Sequence, residues 1–562
     1  MKFLKNSLLG SATAFAAVGA AHAADLPVKK AVPIEYVRVC SAYGAGFFYI
    51  PGTDTCLRLS GRARFEGGYQ TAYTRQFNQG GDTAGYGTRM RINLDARTQT
   101  AYGTLRAFAR LDAGYRSGGP YGGGASGTQQ RIGNAFPALG VDQFGRAQQY
   151  VNVDKAFIQF AGLTAGRASS FFDFYAHDFE FTAATSGSDA FSTNLIAYTA
   201  TLGNGLSATI SAEDPIFRRS AIFSPTVNPN NVTVNAAVTN FGITNSPAPV
   251  VTGYNLAGAP SRFNFIDVIE KSRIPDIVGV LRLDQAWGSA QVSAAVHELN
   301  VNNVQNTLGF IPGAGLGTAA TAATGGSNLS IPRANTAYGF AVQGGIKVNA
   351  PFIAPGDALY VQAAYANGAQ LYSGYSSYSG SYAQNSVAIQ GQKFSQYFND
   401  AQVNPFTGQL ELNDNVTVSA AYLHYWSPEW RSAFFGSYGE QNFARGSRLA
   451  QGQIFNIINP ANSFGANGVG TPGTRFYALS QALRDTYQFV AGANIIWSPV
   501  KDLDIGLEGL YTQIGVKNGR VIDVDKDPTA YSRVAAINAG GLVRTTTSDG
   551  VSQIRIRVQR DF

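Results

Sequence analysis

Long apolar runs are missing from this 562-residue chain. Beyond its N-terminus no stretch reaches the eighteen or so uninterrupted apolar residues that a membrane-crossing helix needs, although 45% of residues are hydrophobic. Charge is sparse as well, at 14%, against about a quarter in soluble domains. That speaks against a string of soluble domains, which the length alone would suggest at roughly one per 150 residues. With 4 His, 2 Cys and 2 Met, no metal-ligand set is closely spaced, and no Ser–His–Asp or paired-carboxylate constellation falls on one rim. Neither an enzyme nor a cofactor is therefore expected. The net charge of +7 gathers into no basic cluster or recognition motif, so a nucleic-acid partner is not expected either.

Glycine and aromatic residues are what the chain has instead: 64 Gly, 36 Phe and 28 Tyr. Few charges, many rings and a mean hydropathy of −0.07 fit strands with one lipid-facing and one wet side. The stretch from Thr88 to Asp112 shows the pattern in one place. Arg89, Arg91, Asn93, Asp95 and Arg97 fall on one side of an extended chain, while Met90, Ile92, Leu94 and Ala96 fall on the other. After a turn around 101–103 the alternation resumes, with Thr104, Arg106, Arg110 and Asp112 opposing Leu105, Ala107, Ala109 and Leu111. Successive strand side chains point to opposite faces, so this is a β-hairpin with a charged and an apolar side.

Repetition of that pattern predicts about sixteen strands, an even number suited to a closed antiparallel barrel. They fall near 57–66, 86–99, 102–115, 150–162, 163–173, 192–202, 205–213, 275–286, 288–299, 335–349, 357–368, 414–427, 430–443, 484–498, 501–516 and 552–562. Short links alternate with long ones at 116–149, 214–274, 300–334, 369–413, 444–483 and 517–551, which are rich in Gly, Asn, Ser and Thr. One rim then carries tight periplasmic turns and the other large extracellular loops. Trp287, Trp426, Trp430 and Trp497 flank short turns, where amphipathic rings suit the headgroup level. The final strand keeps Ile554, Ile556 and Val558 outside and Gln553, Arg555, Arg557 and Gln559 inside. It stops at Phe562, as a strand closing the barrel against the first would.

Residues 1–23 read as a secretory signal: Lys2 and Lys5, a short apolar segment, then Ala21-His22-Ala23. Residues 24–56 read as a periplasmic entry segment and 57–562 as the transmembrane barrel. In an oxidising compartment Cys40 and Cys56 read as a disulfide worth about 3 kcal/mol, the alternative being two free thiols.

Three pieces carry a family resemblance: Glu35 to Gly61 (EYVRVCSAYGAGFFYIPGTDTCLRLSG), Lys155 to Asp173 (KAFIQFAGLTAGRASSFFD) and the terminal Phe562. Across essentially its whole length the chain resembles the alphaproteobacterial general porin family. The resemblance implies a sixteen-stranded homotrimeric barrel in the Gram-negative outer membrane, surrounded by lipid and lipopolysaccharide, with the third extracellular loop folded into the lumen. Arg560 departs from the pattern, standing where many outer-membrane proteins have an aromatic residue.

The expected function is passive diffusion of small hydrophilic solutes and ions. The alternatives are a solute-selective channel, for example for sugar, and more remotely a barrel adhesin or enzyme. In a pore the residues that matter shape the narrowest section and set its field. The alternation turns Arg62, Arg64, Arg89, Arg91, Arg106, Arg110, Lys155, Arg555 and Arg557 inward as a basic wall. Such a wall needs counter-charge. The inward loop implied by the resemblance offers Asp173, Asp178, Glu180 and Asp189, expected to face the arginines. His177 is expected to be a bystander.

Overall fold

The computed structural model describes residues 38–70, 83–118, 140–141, 147–175, 177–188, 192–220, 222–223, 247–268, 270–301, 334–375, 393, 396–458 and 468–562. The expected export signal at 1–23 lies outside them. Sixteen long strands form the wall. They are β1 (Cys56–Gln70), β2 (Ala84–Thr100), β3 (Gly103–Gly118), β4 (Ala147–Phe160), β5 (Leu163–Ala168), β6 (Thr193–Gly203), β7 (Leu206–Glu213) and β8 (Asp276–Gln285), followed by β9 (Gly288–Leu299), β10 (Ala337–Asn349), β11 (Ala358–Asn367), β12 (Asp414–Tyr425), β13 (Trp430–Asn442), β14 (Thr486–Val500), β15 (Leu503–Val516) and β16 (Ser548–Asp561). Each pairs with the next, and β16 pairs back onto β1 with Arg62 opposite Asp561 and Gln70 opposite Gln553, so the sheet closes.

Burial along the strands is inverted relative to a soluble sheet. On β12 Val416 and Val418 are 40% and 45% exposed, whereas Thr417 and Ser419 are 2% exposed. Apolar side chains that stay on the surface while hydroxyls are covered mark an outside solvated by hydrocarbon and a polar inside. The same inversion holds on β16, where Ile554, Ile556 and Val558 are exposed and Gln553, Arg555 and Gln559 are buried. Trp287, Trp426, Trp430 and Trp497 are exposed beside short turns, with the rings of Trp430 and Trp497 stacked at 5.9 Å.

The short links are true tight turns. Asn204 and Gly205 join β6 to β7 with φ of 49° and 77°. Two successive positive φ values match the right-handed twist of the flanking strands, and Asn-Gly supplies them at little cost. The long connections are more built than their composition suggests. Pro247–Tyr254 pairs with Pro260–Asp267, and Ala401–Val403 with Leu410–Leu412. Between them lies an apolar core that includes Ile222, Val250, Ile266, Leu299, Val301 and Val403. One boundary differs from expectation: β5 ends at Ala168 rather than near 173. Past that point the chain turns into the lumen, because the Phe172 carbonyl is held by side chains of β9 and β10 instead of by a neighbouring strand.

The described residues 38–57 fall in a unit of their own. Within it Cys40 and Cys56 are disulfide-bonded with Cα atoms 5.9 Å apart, and Phe47 is buried beside them with Tyr43 and Tyr49 packed around.

At the barrel seam the Gly61 N–H donates to the Phe562 carbonyl at 2.9 Å, and Phe562 N–H returns a bond to Gly61 at 3.1 Å. A Cβ on Gly61 would collide with the Phe562 ring and the Arg91 carbonyl. We expect Gly61→Val to prevent closure, leaving little of the compact form that migrates fast on an unheated SDS gel. Wild-type migration in that variant would show that the last residue does not seal the seam.

Candidate functional site in the lumen

The inward arginines lie on β1–β3 and β16 as alternation requires, and most are held by carboxylates of the wall itself. Asp112 on β3 accepts from Arg89 and, at 2.8 and 3.0 Å, from Arg91. Arg110 bonds Asn93 at 2.9 Å and Asp154 at 3.4 Å. Asp95 accepts from both Arg97 and Arg106, the latter at 2.9 and 3.0 Å. At the seam Arg62 forks onto Asp561, Arg64 onto Gln559, and Arg557 donates to Glu66 at 2.7 Å. Arg555 is buried and bonds Gln553 at 3.1 Å.

Lys155 reaches the lumen through an irregularity. Arg110 faces Lys155 but Leu111 faces Val153, so Asp154 is an extra residue in β4. A bulge of this kind lets two successive side chains share one face. Asp154 thereby joins the arginines, and Lys155 donates to Ser169 at the start of the loop. Strict alternation places only one of the pair inside, which is why Asp154 escapes a reading by periodicity.

After β5 the chain enters the barrel interior, where residues 169–175 and 177–188 lie against the inner wall. At the start of this loop the Phe172 carbonyl accepts from Gln291, Ser293 and Gln343 at 3.3, 3.0 and 3.0 Å. Further on, the N–H groups of Tyr175 and Ser186 donate to Gln362 and Ser437 at 3.0 and 2.7 Å. At its tip Phe181 and Thr182 N–H both donate to Glu508 at 2.6 and 3.0 Å. There Asn494 donates to the Phe179 carbonyl at 2.7 Å, and Arg557 to that of Phe181 at 2.7 Å, its guanidinium 4.2 Å from the Phe181 ring.

Glycines in the wall make room for this seat. A Cβ at Gly345 would overlap the Phe174 ring, and one at Gly506 the Phe181 ring. Inward apolar residues complete it: Val278 and Val280 cover Phe172, while Phe435, Val490 and Leu510 cover Tyr175 and Ala184. A wall position that should be wet but is apolar is thus the sequence signal of a covering loop.

The four loop acids do not act as one group. Asp173 is paired with Arg218 of the next long loop at 2.6 Å and accepts from Ser188, so it is turned away from the basic wall. Burial alone would lower the Arg218 pKa, yet Asp173 beside it more than offsets that and raises it above the ordinary value. Glu180 braces its own loop, accepting from Tyr175 at 3.1 Å, from Thr185 and from the N–H of Ala184 at 3.2 Å. His177, expected as a bystander, joins that brace at 3.2 Å. Asp178 is exposed to the lumen, and Asp189 lies outside the described residues. Asp173 thus departs from the expectation that the loop acids face the basic wall, because Arg218 takes it. Within the wall the arginines pair with Glu66, Asp95, Asp112, Asp154 and Asp561, since a partner one strand away holds a guanidinium fork closely.

Beneath the loop lies a cavity of about 280 Å³. Its lining combines Asp178, Phe179 and Glu180 of the loop with Arg62, Arg64, Arg431, Asp504 and Arg557 of the wall. Arg431 and Asp504, 2.6 Å apart, were not singled out from sequence. Arg89, Arg91, Arg106 and Arg110 do not line this cavity; they form separate clusters along the wall. Arginines facing a carboxylate across a gap set up a transverse field, which orders water and favours polar solutes.

A closed sixteen-strand wall with an apolar exterior, a charged interior and a loop laid against its inner face defines a transmembrane β-barrel of the outer membrane. The chain belongs to the porin subfamily, whose family model matches residues 25–539. The porin Omp2b of Brucella canis is 36% identical over 216 residues, covering 37% of this chain and 54% of that protein, and that of Brucella abortus is 35% identical over the same length. The chain thus spans about half the length of the curated relatives it matches. Among solved structures, the channel DcaP of Acinetobacter baumannii matches over 92% of this chain and 99% of that one at 12% identity, with a TM-score of 0.46. An anion-selective porin from Comamonas acidovorans matches over 90% of this chain and all of that one at 10% identity and a TM-score of 0.38.

Asp112 is fully covered and bonded to two guanidinium groups. Removing one member of a buried pair leaves charge uncompensated, typically at a cost of 3–5 kcal/mol. We expect Asp112→Asn to destabilise the barrel by about 3 kcal/mol, lowering its unfolding midpoint in denaturant. A midpoint equal to wild type would mean that water, not Asp112, solvates Arg89 and Arg91.

Proposed function

We propose that the chain forms a water-filled channel through which small hydrophilic solutes and ions diffuse passively. The observation that supports this is the loop hydrogen-bonded to the inner wall, beside a cavity whose lining brings Asp178 together with Arg62, Arg64 and Arg557. No reaction is called for, since a gap bounded by opposite charges selects by size and polarity alone. The pore works as a homotrimer, by family membership, with lipid and lipopolysaccharide around its apolar belt.

A solute-selective channel is the second reading. It is favoured by the inward rings of Phe108 and Phe157, stacked at 5.2 Å with Arg106 5.0 Å from the former. This pad could hold a flat solute face.

Purified protein in a planar bilayer should show stepwise, ohmic conductance; well-folded trimers that give no steps would end the diffusion-channel proposal. Replacing Arg62, Arg64 and Arg557 together with Ser should shift the reversal potential toward cation preference by several-fold, because positive potential is removed at the narrow section. Arg106→Ser should shift it less, since Arg106 is matched by Asp95 away from the cavity. An unchanged reversal potential in the triple variant would place these side chains outside the path of the ions.

A further inference from the structure

Two aromatic rings stand where the lumen wall should be wet. Phe108 on β3 and Phe157 on β4 lie directly opposite one another at inward positions, and their rings stack with centroids 5.2 Å apart. Elsewhere an inward apolar residue is covered by the seated loop, as Val278 and Val490 are, both fully buried. Phe108 and Phe157 stay half-buried, although Phe157 backs onto Ala168, Leu195 and Ala197. Bare ring surface is unfavourable against water, and nothing among the described residues covers the remainder.

Register frames the pair with cations. On one side of the ring row Arg106 faces Gln159, and on the other Arg110 faces Lys155. The Arg106 guanidinium lies 5.0 and 5.5 Å from the ring centres of Phe108 and Phe157, and that of Arg110 lies 5.6 Å from Phe108. Arg106 is tied to the wall, with Nε and Nη2 forked onto Asp95 and Nη1 on Gln159. Arg110 uses Nε on Asn93 and Nη1 on Asp154, which leaves its Nη2 without a partner among the described residues. Positive charge is left over as well, because Asp95 is shared with Arg97 and Asp154 with Arg91. The row lies near the start of β3 and the end of β4, in the half of the lumen closer to the short turns.

We propose that this pad is a binding station for small aromatic carboxylates passing through the lumen. It rests on the diffusion-channel reading and names a class of solute that the channel favours. The solute ring packs against Phe108 and Phe157, and its carboxylate accepts from Nη2 of Arg110. Successive inward residues on one strand are about 7 Å apart, which is the reach from the centre of a six-membered ring through an attached carboxylate and one hydrogen bond. Ring pairs gain more than their buried area alone would give, and a guanidinium suits a planar acid better than an ammonium does. Asp95 and Asp154 hold both guanidinium groups in place before a solute arrives, so little ordering is left to the binding step. An aliphatic acid gains only from the arginine, and a neutral ring only from the phenylalanines.

The test records the purified intact protein in a planar bilayer in KCl while benzoate is added, and reads the concentration that halves the ion current. Cyclohexanecarboxylate is the control, since it has the same charge and nearly the same size, is the more apolar of the two and lacks a π face. Benzoate should block at an about fivefold lower concentration than cyclohexanecarboxylate. Phe108→Leu combined with Phe157→Leu, which keeps apolar bulk and removes the rings, should abolish that difference, whereas Phe108→Trp should preserve it. Arg110→Gln should raise the benzoate concentration required several-fold. Equal blocking concentrations for the two acids, in wild-type channels with normal KCl steps, would overturn this inference and leave the diffusion channel standing. A benzoate preference that survives in the double Leu variant would overturn it too. Absence of KCl steps would end the diffusion-channel reading and this inference with it.

Discussion

Hydrocarbon offers no hydrogen-bond partner, so a sheet that lives in a bilayer must end on itself. Everything else in this molecule follows from that closure. Because β16 must find β1, the two strands pair from Arg62 opposite Asp561 to Gln70 opposite Gln553, and Phe562 exchanges backbone hydrogen bonds with Gly61. Because the wall has two unlike surroundings, its side chains alternate between Val, Ile and Leu on one face and Arg, Asp, Ser and Gln on the other. Because antiparallel strands alternate in direction, the links sort into tight turns at one rim and long loops at the other.

A wide polar interior creates the next constraint. Cations drawn from adjacent strands would repel one another, and the wall answers locally, with Asp112 between Arg89 and Arg91 and Asp95 between Arg97 and Arg106. Local pairing leaves the third long loop free of that task. Its backbone is held by wall side chains, Gln291, Gln362, Ser437 and Glu508, and its rings fill spaces left by Gly345 and Gly506. Loop and seam meet at one cavity, where Asp178 of the loop and Arg62, Arg64 and Arg557 of the seam all contribute to the lining.

Periodicity made the wall legible from sequence, since a two-residue repeat tells inside from outside without any knowledge of partners. It placed sixteen strands near where they lie and turned the arginines inward. It could not show which carboxylate meets which arginine, since that depends on register between strands such as β1 and β16, hundreds of residues apart. Nor could it foresee the bulge at Asp154, where the repeat itself fails. The fate of Asp173 depended on Arg218 arriving from another loop, and Glu180 reads as a lumen acid until its bonds to Tyr175 and Ala184 are seen. Inward Val278, Val280 and Leu510 were a legible clue to the seated loop, though only once an apolar residue at a wet position is treated as a contact.

If the pore conducts with its loop seated, Ser186 stays against Ser437 of β13 while ions pass. A disulfide between Ser186→Cys and Ser437→Cys, whose parent residues are joined at 2.7 Å, tests it in single-channel recordings before and after oxidation. Quantitative cross-linking with unchanged conductance is the predicted result. Failure to cross-link, or a conductance that changes on oxidation and reverts on reduction, would contradict it.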